Sequence, residues 1–285
     1  EIGSNHLELY AQDTWRRETS KSIFSLNYGM RFSYWSWNGE CLFSPRASLT
    51  YIPKNHDNMT FRLATGLYYL RPFYKELRDT VTNGATTIVQ LNKDIQSQRS
   101  FQVIAGYEYR FKLGKRPFLF STELYYKAQD RLNPYTVDNT KIVYYGRNCA
   151  TGNVMGADFK LYGEFVPGTD SWLTFSLMRA RMNLNGKNIP QPTDQTWSLN
   201  MFFSDYFPGT TRWKMNLKAC FAGGLPFGAP HTGLEKNVYR SSAYKRVDVG
   251  LNFRALNNED RRLRNNPIRN IWLGLDCLNI FGFDN

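Results

Sequence analysis

Long hydrophobic runs are missing from this sequence. Its longest stretch without Asp, Glu, Lys or Arg extends from Ala219 to Leu234 and contains proline and glycine, whereas a membrane-spanning helix needs about 20 mostly apolar residues. The chain is not disordered either, because 16% of its 285 residues are aromatic and 42% are hydrophobic, and disordered chains are poor in both. A folded protein without helical membrane spans remains, with one large β domain or two ordinary domains.

Cysteine and histidine are also scarce. The four cysteines contain no C-x-x-C pair and are too few and too scattered for a disulfide framework, and the three histidines have no metal-ligand spacing. The sequence contains no apparent nucleophile–histidine–acid set and no phosphate-binding glycine loop. We therefore expect neither a metal site nor a cofactor. The chain begins at Glu1 without a targeting segment, so we expect a mature chain or a fragment.

Alternation with a period of two dominates the sequence. Between Phe24 and Tyr34, apolar or aromatic residues alternate with polar residues and glycine. Because successive side chains of a strand point to opposite faces, this pattern predicts a strand with one apolar and one polar face. The runs exceed the common strand length of about five or six residues. There are twelve of them: 6–15, 23–37, 43–52, 59–70, 99–111, 118–128, 154–165, 171–182, 196–207, 212–222, 244–255 and 268–280.

The connections between these runs alternate in length, apart from a short one at 38–42 and a longer one at 257–267. The short ones are 16–22, 53–58, 112–117, 167–170 and 208–211, and the long ones are 71–98, 128–153, 183–195 and 223–243. Such alternation places every tight turn at one end of the sheet, as in transmembrane β-barrels of outer-membrane type. The predicted fold is therefore all-β, an antiparallel transmembrane β-barrel with about twelve strands present.

Two other interpretations stay open. A soluble β-sandwich, such as a glycan-binding module, would use the apolar faces as its core. A complete small outer-membrane barrel could act as a pore or an enzyme, and Glu108 and Glu123 share one face of neighbouring predicted strands, where paired carboxylates could perform acid–base chemistry. Barrel lumens are normally polar, however, and Arg110 and Lys127 balance these carboxylates. We therefore expect no enzyme activity.

Seven stretches carry a resemblance to a known family. They are 7–15 (LELYAQDTW), 43–51 (FSPRASLTY), 61–77 (FRLATGLYYLRPFYKEL), 92–111 (NKDIQSQRSFQVIAGYEYRF), 156–165 (GADFKLYGEF), 244–253 (YKRVDVGLNF) and 271–281 (IWLGLDCLNIF). In order and spacing they resemble the C-terminal half of the barrel of TonB-dependent outer-membrane receptors. The resemblance implies a 22-stranded barrel. Residues 1–285 would be one partial barrel domain at roughly strands 10 to 21, without the plug domain and the terminal strands.

The resemblance also implies a function. Such a receptor imports a large, scarce ligand, for example a metal chelate, a cobalamin-like molecule or an oligomeric nutrient, across the outer membrane of a Gram-negative-type bacterium. The inner-membrane TonB complex supplies the energy through an N-terminal region that this chain lacks. The implied partners are outer-membrane lipid, the protein's own plug domain, the TonB complex and the imported ligand. We expect no nucleic acid, because basic and aromatic residues alternate onto opposite faces, whereas a base-stacking platform needs both on one face.

Two sets of residues are candidates for contact with a ligand or the plug. Long loops on a rigid scaffold usually carry recognition, and the loops at 71–98, 128–153 and 223–243 offer donors and stacking surfaces at Arg71, Tyr74, Tyr135, Tyr144, Arg147 and Tyr239. The polar faces of the strands are predicted to line the lumen, where ligand or plug contacts are expected from Arg31, Arg46, Arg62, Glu108, Glu123, Lys214, Arg246 and Asp248. The excess of cations there would suit an anionic ligand or an acidic plug.

The apolar faces are predicted to form the wall that meets lipid. The representative wall residues are Tyr28, Phe32, Leu63, Tyr107, Leu124, Leu161, Leu217 and Leu251. Because the first and last strands would lack their partners, the sheet is expected to stay open.

Overall fold

The computed structural model of the protein describes residues 3–83, 86–138, 141–165, 171–207, 209–229, 232–256 and 270–285. The predicted turn at 167–170 and the predicted connection at 257–267 lie outside the described residues.

Nineteen strands and one short helix follow one another along the described chain. The strands are β1 (His6–Glu18), β2 (Ser22–Trp35), β3 (Glu40–Pro53), β4 (Met59–Leu70), β5 (Arg78–Asn83), β6 (Thr86–Leu91), β7 (Gln98–Leu113), β8 (Arg116–Leu132), β9 (Tyr135–Asp138), β10 (Lys141–Tyr144), β11 (Ala150–Gly163), β12 (Ser171–Leu184), β13 (Lys187–Pro190), β14 (Trp197–Tyr206), β15 (Trp213–Ala222), β16 (Pro226–Phe227), β17 (Tyr239–Arg240), β18 (Tyr244–Leu256) and β19 (Ile271–Cys277). The helix α1 is Tyr74–Leu77, and 3₁₀ turns occur at Lys54–His56 and Leu234–Lys236.

Twelve of the strands form one antiparallel meander. Its order is β1–β2–β3–β4–β7–β8–β11–β12–β14–β15–β18–β19, and β13 pairs beside β12. These twelve strands are the twelve predicted runs, each with ends within four residues of the prediction. Because consecutive strands lie side by side in one sheet, the fold is not a two-sheet sandwich. In the part of the chain that the structure describes, β1 and β19 are the two free edges and no pairing joins them, so the prediction of an open sheet is confirmed.

The long connections all leave from the same end of the meander, and each contains structure of its own. Residues 71–97 hold α1 and the β5–β6 hairpin, 133–149 hold the β9–β10 hairpin, 185–196 hold β13, and 223–243 hold the β16–β17 pair. Short turns occur at the other end of the sheet, such as the one between β7 and β8. We call the two ends of the sheet the long-loop end and the short-turn end.

The register separates the sheet into one apolar and one polar face. Residues paired across antiparallel strands point to the same side. One such row across the apolar face is Leu63, Ala105, Leu124, Ala157 and Leu177. The neighbouring row on the opposite face is Arg62, Gly106, Glu123, Asp158 and Ser176. Followed strand by strand, the register places all eight predicted wall residues on the apolar face and all eight predicted lumen residues on the polar face.

The apolar face has no layer of protein over it in the described chain. Leu63, Leu124 and Leu177 on this face are all exposed. Near the short-turn end, aromatic side chains form a belt across four strands, in which Phe24 and Tyr51 have ring centroids 4.9 Å apart and Phe61 and Tyr107 have theirs 5.1 Å apart. Aromatic girdles border the lipid-facing band of outer-membrane barrels. No helix among the described residues is long and apolar enough to cross a membrane.

Two clusters of buried hydrophobic side chains lie under the long loops. One cluster joins Trp35, Leu77 and Ile95, and a second joins Ala150, Met182, Leu184, Ile189 and Leu234. Each cluster combines strand ends with loop residues. Burial of apolar surface therefore holds the long loops against the sheet.

Candidate functional site

The turn between β2 and β3 is fastened to the connection 71–97 by a carboxylate. Glu40 accepts a hydrogen bond from the backbone N–H of Ser97 at 3.0 Å and another from the Ser97 hydroxyl at 2.7 Å. Ser97 is completely buried, and the amide of Asn38 donates to the carbonyl of Ile95 at 3.3 Å. The start of β7 is therefore fixed against the neighbouring turn.

A second set of contacts joins the connection 71–97 to the connection 133–149. The side-chain amide of Asn148 pairs with the backbone of Gln96, accepting from its N–H at 2.7 Å and donating to its carbonyl at 2.9 Å. The Asn92 amide donates to the carbonyl of Gly146 at 3.1 Å. Two loops from different hairpins therefore form one hydrogen-bonded unit.

The connections 185–196 and 223–243 are joined by ion pairs. The buried carboxylate of Asp194 pairs with the guanidinium of Arg240 and accepts from the backbone N–H of Ala180 at 2.6 Å. On the surface, Lys187 pairs with Glu235 at 2.8 Å, and this hydrogen bond lowers the pKa of the Glu235 carboxyl. The long loops thus make a connected cap at one end of the sheet.

A pocket of about 250 Å³ opens beneath this cap. Its polar wall includes Glu76 from α1, Gln98 from β7 and Asn133 from the start of the connection 133–149. Tyr135 and Tyr144, which face each other across the β9–β10 hairpin, supply aromatic surface with ring centroids 5.7 Å apart. The pocket therefore combines hydrogen-bonding groups with stacking surfaces.

The electrostatics of the pocket follow from burial. Glu76 is only 4% exposed, and burial raises the pKa of its carboxyl, although a hydrogen bond from Gln98 at 3.4 Å and the neighbouring side chain of Asn133 act in the opposite direction. Burial also raises the pKa values of Tyr135 and Tyr144. Both phenols therefore remain protonated at neutral pH and can donate hydrogen bonds.

Asn133 adds a buried donor to the pocket. Its carbonyl oxygen accepts from the backbone N–H of Arg147 at 3.3 Å, and the residue is 4% exposed. Its Nδ2 lies beside Glu76, yet it makes no hydrogen bond of good geometry with any residue that the structure describes. Leaving a buried donor unpaired costs about 1–3 kcal/mol, so a ligand that accepts from Nδ2 would recover that loss.

The structure brings together only some of the predicted loop residues. Tyr135 and Tyr144 share the pocket. Arg71 instead pairs with Glu8 of β1 at 3.1 Å. Tyr74, on α1, is half exposed outside the pocket, and the remaining two stand elsewhere on the cap. These two are Arg147, which is exposed, and Tyr239, whose ring packs against Phe227.

Sequence reasoning missed the polar groups of the pocket. Glu76 is an acid inside the otherwise aromatic and basic segment before β5, and that isolation was the one available signal. These groups come from three separate segments: Gln98 from the start of β7, Gln129 and Asn133 from the end of β8 and just after it, and Gln191 from the residue after β13. No spacing in the sequence relates them.

Ion pairs neutralise part of the positive charge on the polar face. Arg62 lies 2.7 Å from Glu108, and Arg110 lies 3.7 Å from the same carboxylate. Glu108 is therefore partnered as a structural carboxylate, whereas Glu123 is exposed on the next strand.

The remaining cations of this face have partners of several kinds. Arg46 and Lys214 lie over aromatic rings, 4.5 Å from the Tyr68 centroid and 5.6 Å from the Tyr206 centroid. The last three predicted residues form ion pairs: Arg31 with Glu8 at 3.9 Å, and Arg246 with Asp248 at 2.8 Å. No group of three or more potential metal ligands occurs among the described residues.

The sequence was compared with models of known protein families and with curated proteins. The family model described as "TonB dependent receptor-like, beta-barrel" matches residues 2–266. No curated protein matches the sequence.

Three solved structures resemble the fold. The outer membrane transporter YddB of Escherichia coli has a TM-score of 0.64 and 14% sequence identity, and the match covers 98% of this chain and 42% of that chain. The ferric-catecholate import receptor Fiu of Escherichia coli, in its closed form, has a TM-score of 0.63 and 13% identity, and the match covers 99% of this chain and 41% of that chain. A variant of the ferric enterobactin receptor PfeA of Pseudomonas aeruginosa has a TM-score of 0.64 and 14% identity, and the match covers 98% of this chain and 40% of that chain. The chain spans about two fifths of the length of these structures.

Proposed function

Because the chain belongs to the TonB-dependent receptor β-barrel family, we propose that it supplies wall and extracellular loops to an outer-membrane receptor that imports a large, scarce ligand. Residues 1–285 are one partial barrel domain, with its wall in the outer membrane of a Gram-negative-type bacterium. Two observations support this: the two unpaired edges of the sheet and the share of the solved structures that the chain spans. The receptor is a transporter and not an enzyme.

We propose that the ligand is contacted in the pocket beneath the cap. Tyr135 and Tyr144 provide stacking surface, and the unpaired Asn133 Nδ2 provides a donor. Planar or ring-containing ligands with acceptor oxygens match this combination. The ferric-catecholate ligand named for Fiu is of this chemical kind, since catecholates are oxygen-bearing rings. We therefore place an iron–catecholate chelate first, ahead of a cobalamin-like molecule or an oligomeric nutrient.

We propose that the plug domain contacts the polar face of the sheet. In the intact receptor this face lines the lumen, and the plug domain lies against it. Two ion pairs already form within the sheet, Arg62 with Glu108 and Arg246 with Asp248. Because these charges are neutralised, the four side chains can contact the plug through hydrogen bonds but contribute little net charge. Arg46 and Lys214 are held by aromatic rings without an acidic partner among the described residues, and they are the cations available to an acidic plug segment or an anionic ligand.

Energy for import enters through the TonB complex and the plug, outside these residues. The chain itself provides the fixed parts. Its loops are held as one cap by Glu40, Asn148 and Asp194, so the ligand meets a preorganised surface, which reduces the entropic cost of binding.

Uptake of a radiolabelled iron–catecholate chelate by cells that carry the full-length receptor tests the proposal. Tyr144→Ala removes one wall of the pocket and is expected to reduce uptake at low chelate concentration about tenfold, since an aromatic contact contributes about 0.5–1.5 kcal/mol beyond its buried area. Tyr74→Ala is the matched control, because Tyr74 lies on α1 outside the pocket lining. Equal losses in both variants would contradict the pocket, and uptake unaffected by loss of the TonB complex would contradict the transport function.

A further inference from the structure

The cap contains a second pocket, between the β12–β13 hairpin and the connection 223–243. Its volume is about 410 Å³, which lies within the range of about 300–1,000 Å³ that is usual for small-molecule sites. Among the described residues, its lining shares no member with the lining of the pocket beneath the cap. The proposed chelate contact therefore leaves the second pocket without a role.

The second pocket lacks one negative charge. Its described lining contains three cations and one acid. Lys187 pairs with Glu235 at 2.8 Å, and Arg240 pairs with the buried carboxylate of Asp194. Arg181 differs, because no acidic side chain in the described part of the chain lies within ion-pair distance of its guanidinium. One cation of the pocket therefore has no counter-charge.

Arg181 also has an unused hydrogen-bond donor. Its Nε is buried and has no hydrogen-bond partner among the described residues. Buried polar side-chain atoms mostly have partners, and an exception calls for an explanation such as an ion or a ligand group at the site. The missing negative charge and the missing acceptor thus coincide at one side chain of the pocket.

The rest of the lining offers ring surfaces and partners for hydroxyl groups. Tyr239 is 61% exposed, although its ring packs against Phe227 with ring centroids 5.9 Å apart. Pro190 and Pro226 add two further rings to the lining. The exposed amide of Asn188 and the surface ion pair can exchange hydrogen bonds with hydroxyl groups. Such a lining suits a sugar, because a sugar ring has both apolar C–H faces and hydroxyl groups.

We propose that the second pocket binds a sugar acid, with its carboxylate on the guanidinium of Arg181 and its ring against Tyr239. A guanidinium can bind a carboxylate through two parallel hydrogen bonds, and this contact supplies both the charge and the acceptor that Arg181 lacks. One carboxylate is sufficient, because the other two cations already have partners. The cap thereby gains a recognition site for acidic saccharides that is separate from the proposed chelate pocket.

The site is tested on the full-length receptor in detergent micelles, by nuclear magnetic resonance titration with methyl β-glucuronide as the probe. Arg181→Gln is expected to weaken binding at least about tenfold, as for loss of a hydrogen-bonded contact to a charged group. Arg181→Lys keeps the charge but not the two parallel hydrogen bonds, so its affinity should be intermediate. Heat resistance of the barrel on a denaturing gel confirms that each variant is folded.

Arg179→Gln is the charge-matched control. Arg179 lies two residues earlier on β12, is exposed and is not part of the pocket lining, so this variant should bind the glucuronide as the unchanged receptor does. Equal affinities in the Arg179→Gln and Arg181→Gln variants would overturn the carboxylate contact.

Two further comparisons test the sugar ring. Methyl β-glucoside lacks the carboxylate and benzoate lacks the hydroxyl groups, so each should bind the unchanged receptor at least about tenfold more weakly than the glucuronide. Tyr239→Ala should lower the affinity, whereas Tyr239→Phe retains the ring and should preserve it. Benzoate binding as tight as that of the glucuronide would overturn the sugar assignment, and equal affinities in the two Tyr239 variants would overturn the ring contact. Chelate uptake reports on the other pocket and should be unchanged in Arg181→Gln, so either proposal can fail without the other.

Discussion

Asp194 and Arg240 form an ion pair between two loops that are far apart in the sequence. Asp194 is 1% exposed. The guanidinium of Arg240 also donates to the backbone carbonyl of Asp194 at 2.6 Å and to that of Gly224 at 3.1 Å. One guanidinium therefore closes the cap between β13 and β16. A buried carboxylate of this kind needs its partner, because an unpaired buried charge is strongly destabilising.

We predict that Arg240→Ala loosens the cap without unfolding the barrel. Leaving the Asp194 carboxylate unpaired should cost the loop unit about 3 kcal/mol. Limited proteolysis of the intact receptor should then cut within 185–196 or 223–243 much faster than in the unchanged protein. Lys187→Ala serves as the control, because its ion pair with Glu235 is on the surface and contributes only about 0–1 kcal/mol. Similar cutting rates in the two variants would show that the buried pair is not what holds the cap.

The charge state of Glu76 predicts a pH dependence of the first long loop. Burial raises the pKa of this carboxyl above its ordinary value of 4.5, so the folded loop binds the proton more tightly than the unfolded loop does. Its stabilising contribution is present below about pH 4.5 and is lost as the pH rises through the folded-state pKa. Glu76→Gln should remove this dependence and make the loop more resistant to proteolysis at pH 8. Hydrogen exchange in 71–97 between pH 4.5 and 8 measures it, and parallel pH profiles for both proteins would refute the assignment.

The strands of the main sheet were predictable from the sequence, because alternation is a local property. In β2, the polarity of each residue from Phe24 to Tyr34 indicates its face, and the pairing of neighbouring strands then extends the two faces across the sheet. The cap was not predictable. Glu40 and Ser97 meet although they are far apart in the chain, and no periodic pattern relates the two segments. Arg71 illustrates the same limit, since its ion pair with Glu8 depends on how the loop folds back onto β1.

The two faces of β15 give a direct test of the membrane orientation. Leu217 pairs with Phe203 and Val249 on the apolar face, and its neighbour Asn216 accepts a hydrogen bond from Ser204 at 2.7 Å on the polar face. Leu217→Arg should cost about 2–4 kcal/mol if the side chain lies near the bilayer midplane. Asn216→Arg should cost about 1 kcal/mol, the value of one hydrogen bond. Unfolding in lipid vesicles by urea measures both, and equal costs would contradict the assignment of the faces.

Close approach of neighbouring strands at one glycine gives the last prediction. A Cβ on Gly156 would lie 2.5 Å from the carbonyl oxygen of Leu177 on the adjacent strand β12 and 2.3 Å from the hydroxyl of Tyr125. The tyrosine can rotate away, but the backbone oxygen is fixed by the ladder, so Gly156→Ala must shift β11 against β12 and should cost about 1–3 kcal/mol. Gly106 is the matched control. It lies on β7, on the same polar face of the sheet as Gly156, and a Cβ added there would meet no atom closer than 3.6 Å. Gly106→Ala should therefore be neutral or slightly stabilising, since alanine restricts the unfolded chain more than glycine does. Urea unfolding of the two variants in parallel decides the matter, and a Gly156→Ala variant as stable as Gly106→Ala would mean that the two strands are not as close as described.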